Sequence, residues 1–238
     1  MNDEDKTKQE LISKLNEMHL QLDEMKKSED ETGHAQSTIQ ISETRYRRLF
    51  ETAQAVAFTL EKNVAYKAGH HLRVTNLAFA IGTEMNLTSD QLDGIRIASM
   101  IHDIGKKFVP AALLSKTTRL TDSEFQVMKT HVLSGYDILK DIDFPWQIAR
   151  MVLEHHERMN GSGYPNGLTG DNLLMESRIL SVADVVDAIA SHRPYRPAWG
   201  INVAMYDIKG NRGMLYDTEV VDVCLRLFHE KGYKISDD

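Results

Sequence analysis

Ile101-His102-Asp103-Ile104-Gly105-Lys106 closes an apolar run that begins at Ile95. A histidine and an aspartate stand side by side at the end of that run. Burying two ionisable groups there is costly unless something pairs with them. A divalent metal suits the pair, because imidazole nitrogen and carboxylate oxygen both ligate first-row metals. One His-Asp dipeptide is weak ground by itself. The reading depends on which other residues can reach it.

The flanking sequence reads as helix after helix. Thr88-Ser89-Asp90-Gln91 has capping-box spacing and starts the helix that delivers His102 and Asp103. Ahead of it, His70 to Met85 carries Val74, Leu77, Ala78 and Ile81 on one side. Thr121-Asp122-Ser123-Glu124 repeats the capping signal before the helix that bears His131. Pro145 suits the first turn of a helix running to His155 and His156. The Gly-rich segment from Asn160 to Gly170 must be loop. Met175 to Ala190 is a further helix, apolar at Ile179, Val182, Ala183 and Val186. Asp217 caps a last helix, with Val220, Val221, Cys224, Leu227 and Phe228 on its buried face. No alternating strand pattern stands out. The expected fold is all-α, a multi-helix bundle with a metal site in its interior.

Composition narrows the class. The chain has 238 residues and a net charge of -7, which argues against a nucleic-acid polymer or a membrane surface as partner. Cys224 is the single cysteine, which excludes an internal disulfide and fits a reducing compartment. No stretch approaches the ~18 apolar residues of a membrane span. A cytoplasmic location is expected.

The N-terminal part reads differently. Leu11, Leu15, Met18, Leu22 and Met25 alternate four and three apart, a short heptad seam that suits a coiled-coil-like homodimer. Ser28 to Thr38 breaks the pattern and reads as a joint. Leu49, Ala53, Val56 and Leu60 then keep helical spacing. Arg45 to Glu51 resembles the lead-in to a PAS sensory module, with no room for the module itself. Residues 1–64 are expected to form a helical signalling or dimerisation segment, and 65–238 the domain with the chemistry.

The candidate metal ligands are His70, His102, Asp103, His131, His155, His156 and Asp184. One of His70 and His71 is expected to be surface. Asp184 lies in an apolar run, where an unpaired carboxylate would cost several kcal/mol. The pair His155-His156 followed by Glu157, after the apolar Met151-Val152-Leu153, is similarly suspicious. Five histidines and two aspartates exceed the needs of one ion. They fit two ions bridged by a carboxylate, which stabilise both the attacking and the leaving oxygen of a phosphoester displacement. The lack of a thiolate set excludes a zinc finger.

These residues resemble the HD phosphohydrolase superfamily. His155-His156-Glu157-Arg158-Met159-Asn160-Gly161-Ser162-Gly163-Tyr164-Pro165 is similar to the signature of its HD-GYP branch. His70 to Val74, Lys129-Thr130-His131, Val182-Ala183-Asp184 and Arg193 to Arg196 match in the same order. The resemblance spans roughly Ala65 to the C-terminus. It implies an all-α bacterial phosphodiesterase that hydrolyses cyclic di-GMP to the linear dinucleotide or GMP, with two divalent ions, iron or manganese. It also implies that His70, His102, Asp103 and Asp184 serve one ion, and Asp103, His131, His155 and His156 the other. Lys106 would meet the scissile phosphate or the leaving oxygen, and Tyr164, Arg193 and Arg196 would bind substrate. Branch members with three metals carry a glutamate four residues before the first ligand histidine, where this chain has Tyr66. That departure points to two ions. It also leaves room for an alternative: a module that binds cyclic di-GMP or a partner protein with little turnover. A general HD nucleotide phosphohydrolase is the third reading, against which the Gly-Tyr-Pro signature argues.

Overall fold

The computed structural model describes residues 44, 46–59, 69–193 and 196–235. The expected heptad seam, and the homodimer that rests on it, lie outside these residues, as do Leu60 and Tyr66. The chain divides into two units, residues 1–48 and 49–238. Residues 46–59 are helical (α1), with Ala53 and Ala57 buried. The second unit continues with α2 (His70–Glu84), α3 (Ser89–Ile101), α4 (Ala111–Leu114), α5 (Asp122–Leu139), α6 (Ile148–Glu154), α7 (Met175–Ala190), α8 (Ile201–Gly210) and α9 (Thr218–His229). Among the described residues no strand forms, only three isolated β-bridges.

Local chemistry sets the helix starts. Thr88 accepts from the Gln91 amide while the Gln91 side chain accepts from the Thr88 amide, and Thr121 and Glu124 do the same for α5. Asp217 accepts from the amides of Glu219 and Val220 at the start of α9. Two expected boundaries move. Helix α6 starts at Ile148, so Pro145 stands before it rather than in its first turn. His102 caps α3, and Asp103 lies beyond it, leading into a 3-10 turn, Ile104–Phe108.

Helix α7 is the axis of the bundle. It packs against α2, α3, α6, α8 and α9. Ile179, Leu180, Val182, Ala183 and Val186 are buried with Val74, Leu77 and Ile81 of α2 and Val220, Val221 and Cys224 of α9. Each such aliphatic side chain contributes ~1.5–3 kcal/mol by leaving water. Helix α8, which the sequence pattern did not single out, adds Ala204, Met205 and Ile208 to this core. On the other side, the turn after Asp103 presses against α5 at Gly105. A Cβ there would collide with the carbonyl oxygen of His131. Gly105 thus lets α5 come close enough to bring His131 to Asp103.

Candidate metal centre

Each candidate histidine sits where an apolar helix face meets the core, so burial of the ring comes with the helix. His70, His102, Asp103, His131 and His155 are all buried. His70 begins α2, His102 and His155 follow the last turns of α3 and α6, and His131 lies mid-way along α5. His71 is buried as well, its ring against His70 and His102, so neither member of that pair is a surface residue.

The ring orientations are set from behind. Nδ1 of His102 bonds the carbonyl of Ser99 at 2.7 Å, that of His131 the carbonyl of Met128 at 2.7 Å, and that of His155 the carbonyl of Val152 at 2.6 Å. A carbonyl only accepts, so each Nδ1 carries the proton and each Nε2 keeps its lone pair. Nδ1 of His70 meets the Asp187 carboxylate at 2.6 Å, and Arg73 Nε donates to the other oxygen of Asp187 at 2.6 Å. Partners behind the ligating ring are what fix the tautomer of a metal-binding histidine.

The Nε2 atoms converge with the two aspartates. His70, His102 and Asp184 bring ligand atoms within 4.8 Å of one another, and so do His131, His155 and His156. Asp103 lies between these groups: its Oδ1 is 3.7 Å from Nε2 of both His102 and His131, and its Oδ2 is 3.8 Å from Nε2 of His70. Two ligands about 2.1 Å from one ion stand roughly 3–3.8 Å apart, which is the spacing seen. The Nε2 atoms of His102, His131 and His155 are buried without a hydrogen-bond partner among the described residues. Buried nitrogens are rarely left so, and a cation satisfies all three. The residues present fit a divalent metal.

A model of the HD domain matches residues 33–220. The chain belongs to the HD domain family. The cyclic di-GMP phosphodiesterase response regulator RpfG of Xanthomonas campestris is 36% identical over 178 residues, 74% of this chain and 47% of that protein. A cyclic di-GMP phosphodiesterase of Thermotoga maritima is 36% identical over 184 residues, 76% of this chain and 50% of its own length. The 3'3'-cGAMP-specific phosphodiesterase 3 of Vibrio cholerae is 34% identical over 65% of this chain and 34% of its own length. The chain therefore spans half or less of the length of these relatives. A solved structure of a cyclic GMP-AMP specific phosphodiesterase from V. cholerae shares the fold, with TM-score 0.60 at 17% identity over 76% of this chain and 49% of that one. HD phosphohydrolases are metal-dependent, and this HD domain has a histidine-aspartate cluster that could hold a metal.

Electrostatics prepare this HD domain for a cation. Burial lowers His131 and His155 to about 3, and pulls His102 and His156 below the usual histidine range. All four are free bases at neutral pH and release no proton when they ligate. Burial raises Asp184, but neighbouring His102 and His70 pull it down harder, and it stays ionised.

The remaining candidates divide. Lys106 donates to Asp103 Oδ2 at 2.6 Å with a fifth of its side chain exposed, which puts an ammonium at the solvent side of the cluster. Tyr164 lays its ring 4.9 Å from that of His156, and burial raises its phenol, so at neutral pH it is a donor. The Tyr164-Pro165 peptide is cis. Arg196 is committed elsewhere: its guanidinium donates to the carbonyls of Ala188, Ile189 and Pro197 and lies 4.1 Å over Trp199. It closes the C-terminus of α7. Arg193 pairs its backbone with Arg196 across the turn.

Three residues of the site escaped the sequence reading or were misread. Asp187 and Arg73 hold His70 from behind. Their signal was the spacing, since each lies one turn after a ligand candidate, Asp184 and His70, on the same helix face. Glu157 is not at the cluster. Its carboxylate accepts from the amides of Asn166 at 2.7 Å, Gly167 at 3.1 Å and Leu168 at 3.1 Å. A Cβ on Gly163 would collide with the Glu157 backbone. The Gly-rich loop is thus wrapped around Glu157, and that wrapping brings Tyr164 to His156.

Proposed function

We propose that this HD domain is a metal-dependent phosphodiesterase that opens cyclic di-GMP to the linear dinucleotide, to GMP or to both. The observation that carries the reading is the pair of ligand groups that share Asp103, with buried imidazole nitrogens aimed between them. The names of the relatives supply the substrate class. His70, His102, Asp103 and Asp184 would hold one ion, and Asp103, His131, His155 and His156 a second, with iron or manganese suited to both sites. When bound, the ions supply positive charge at the scissile phosphate and make the attacking water more acidic. Lys106 offers its ammonium to the phosphate or the leaving oxygen, where developing charge is best stabilised. The Tyr164 hydroxyl donates to the same group, and Arg193 is the guanidinium left to hold a phosphate, since Arg196 is committed to α7.

The test is anaerobic purification, quantification of iron and manganese, and incubation with cyclic di-GMP. About two ions per chain and a linear or mononucleotide product support the reading. Full occupancy with unchanged dinucleotide overturns it in favour of a binding module. The cGAMP-specific relatives favour a second substrate, so 3'3'-cGAMP belongs in the same assay. We further read residues 1–64 as the input and dimerising segment of a cytoplasmic signalling protein. Light scattering before and after truncation at Ser37 tests this, and an unchanged mass rejects it.

A further inference from the structure

A groove of about 310 Å³ lies at the start of α5, lined by Arg119, Leu120, Asp122 and Phe125. Its volume is at the lower end of small-molecule sites. A line of rings joins it to the metal centre. The His156 ring is 4.9 Å from Tyr164, and the Tyr164 and Phe125 rings form a T-shaped pair at 6.2 Å and 83°. The ammonium of Lys129 sits 5.0 Å from the Phe125 centroid and 5.1 Å from that of Tyr164, so a cation bridges the last two rings. Phe125 is 42% exposed although it stands beside a buried centre. A partly exposed aromatic ring on the path from a phosphate site is what a nucleobase stacks on.

The polar lining has a matching chemistry. Arg119 and Asp122 are exposed, and neither is tied up in an ion pair among the described residues. A guanidinium pairs with O6 and N7 of guanine. A carboxylate accepts from N1–H and the 2-amino group on the opposite edge. Adenine has an amino group at position 6 and neither N1–H nor a 2-amino group, so the same pair rejects it.

We propose that the Arg119–Asp122–Phe125 groove is a guanine-binding subsite that selects guanine over adenine in a cyclic dinucleotide whose phosphate lies at the metal centre. The proposal rests on the phosphodiesterase reading and adds the base specificity to it. Phe125 supplies the stacking face, Lys129 a positive charge along the path, and Arg119 and Asp122 the discrimination.

Steady-state turnover and equilibrium binding of cyclic di-GMP and cyclic di-AMP by the metal-loaded full chain test it, with wild type, Phe125→Ala, Phe125→Trp and Asp122→Asn compared. Phe125→Ala is expected to raise KM and Kd for cyclic di-GMP about tenfold with kcat within about threefold, and Phe125→Trp to restore both. Asp122→Asn is expected to cut the preference for cyclic di-GMP over cyclic di-AMP about tenfold. Unchanged KM in Phe125→Ala and unchanged preference in Asp122→Asn, with wild-type turnover intact, overturn the subsite and leave the phosphodiesterase standing. If wild type binds without turnover, the phosphodiesterase fails and the Kd series alone decides the subsite. If wild type binds neither dinucleotide, both fall.

Discussion

The two halves of the metal centre are built on different principles. The half made by His70, His102 and Asp184 has a charged surround: Asp184 is a ligand candidate itself, and Asp187, held by Arg73, backs His70. The half made by His131, His155 and His156 is an imidazole set, and main-chain carbonyls of Met128 and Val152 back two of its rings. Asp103, shared with the first half, lies 3.7 Å from its His131. Formal charge therefore favours the first half as the tighter cation site. In the proposed reading the second half, beside Tyr164 and Lys106, faces the substrate. His70 of the first half can be loosened from outside by changing a side chain, whereas His131 and His155 of the second, like His102, are positioned by helix backbone that no substitution removes.

The largest effect that tests this contrast belongs to the residue common to both halves. Asp103→Ala is expected to lose both ions and to slow turnover about a thousandfold or more, the factor that several kcal/mol of charge stabilisation represents. Metal analysis beside the assay checks it, and bound metal with retained turnover would reject the assignment. Next comes an order of release. Under increasing chelator the imidazole half is expected to empty first, giving two steps in metal content. His131→Ala removes the early step and Asp184→Asn brings the late one forward; a single step in all three proteins would dissolve the distinction between the halves.

A smaller effect is expected one layer out. Asp187→Asn keeps the shape but weakens the hold on His70, and metal affinity should fall about 10–100-fold. Release of the late ion is the readout, and an unshifted late step would show that Asp187 serves packing alone. A separate effect, on stability rather than on metal release, concerns the metal-free protein. His131 and His155 are held near 3 when folded, against an ordinary value of 6.5. Between those values the unfolded chain takes up protons that the folded chain refuses, so stability is full above pH 6.5 and falls as pH drops towards 3. The loss is of order 1 kcal/mol per pH unit for each histidine. Thermal melts of chelated protein from pH 7 to pH 4 measure it, and a flat profile would mean that the rings are reached by water.

Much of the bundle was legible in the chain because its signals are local. Both capping boxes form their reciprocal bonds, α7 runs over the expected Met175–Ala190, and Asp217 caps the last helix. The seven ligand candidates come together because each was marked by the same conflict, an ionisable group in an apolar run. Other features were beyond reach. Helix α8 carries no capping side chain and opens on a glycine, so no start signal announced it. Pro145 looked like a first-turn residue, yet α6 starts only at Ile148. Glu157 drew suspicion because it follows two histidines, but its carboxylate is turned onto three loop amides.

The sequence by itself determined the helices, their caps and the choice of ligand candidates, because helical periodicity and the cost of a buried charge act over a few residues. Only the tertiary structure decided how the ligands are shared and backed. Asp103 stands between the groups because Gly105 admits α5. Asp187 reaches His70 because α7 crosses α2, and Arg196 turns to α7 because the helix end offers open carbonyls. Those contacts join residues far apart in the chain, and their partners are set by packing rather than by any local pattern.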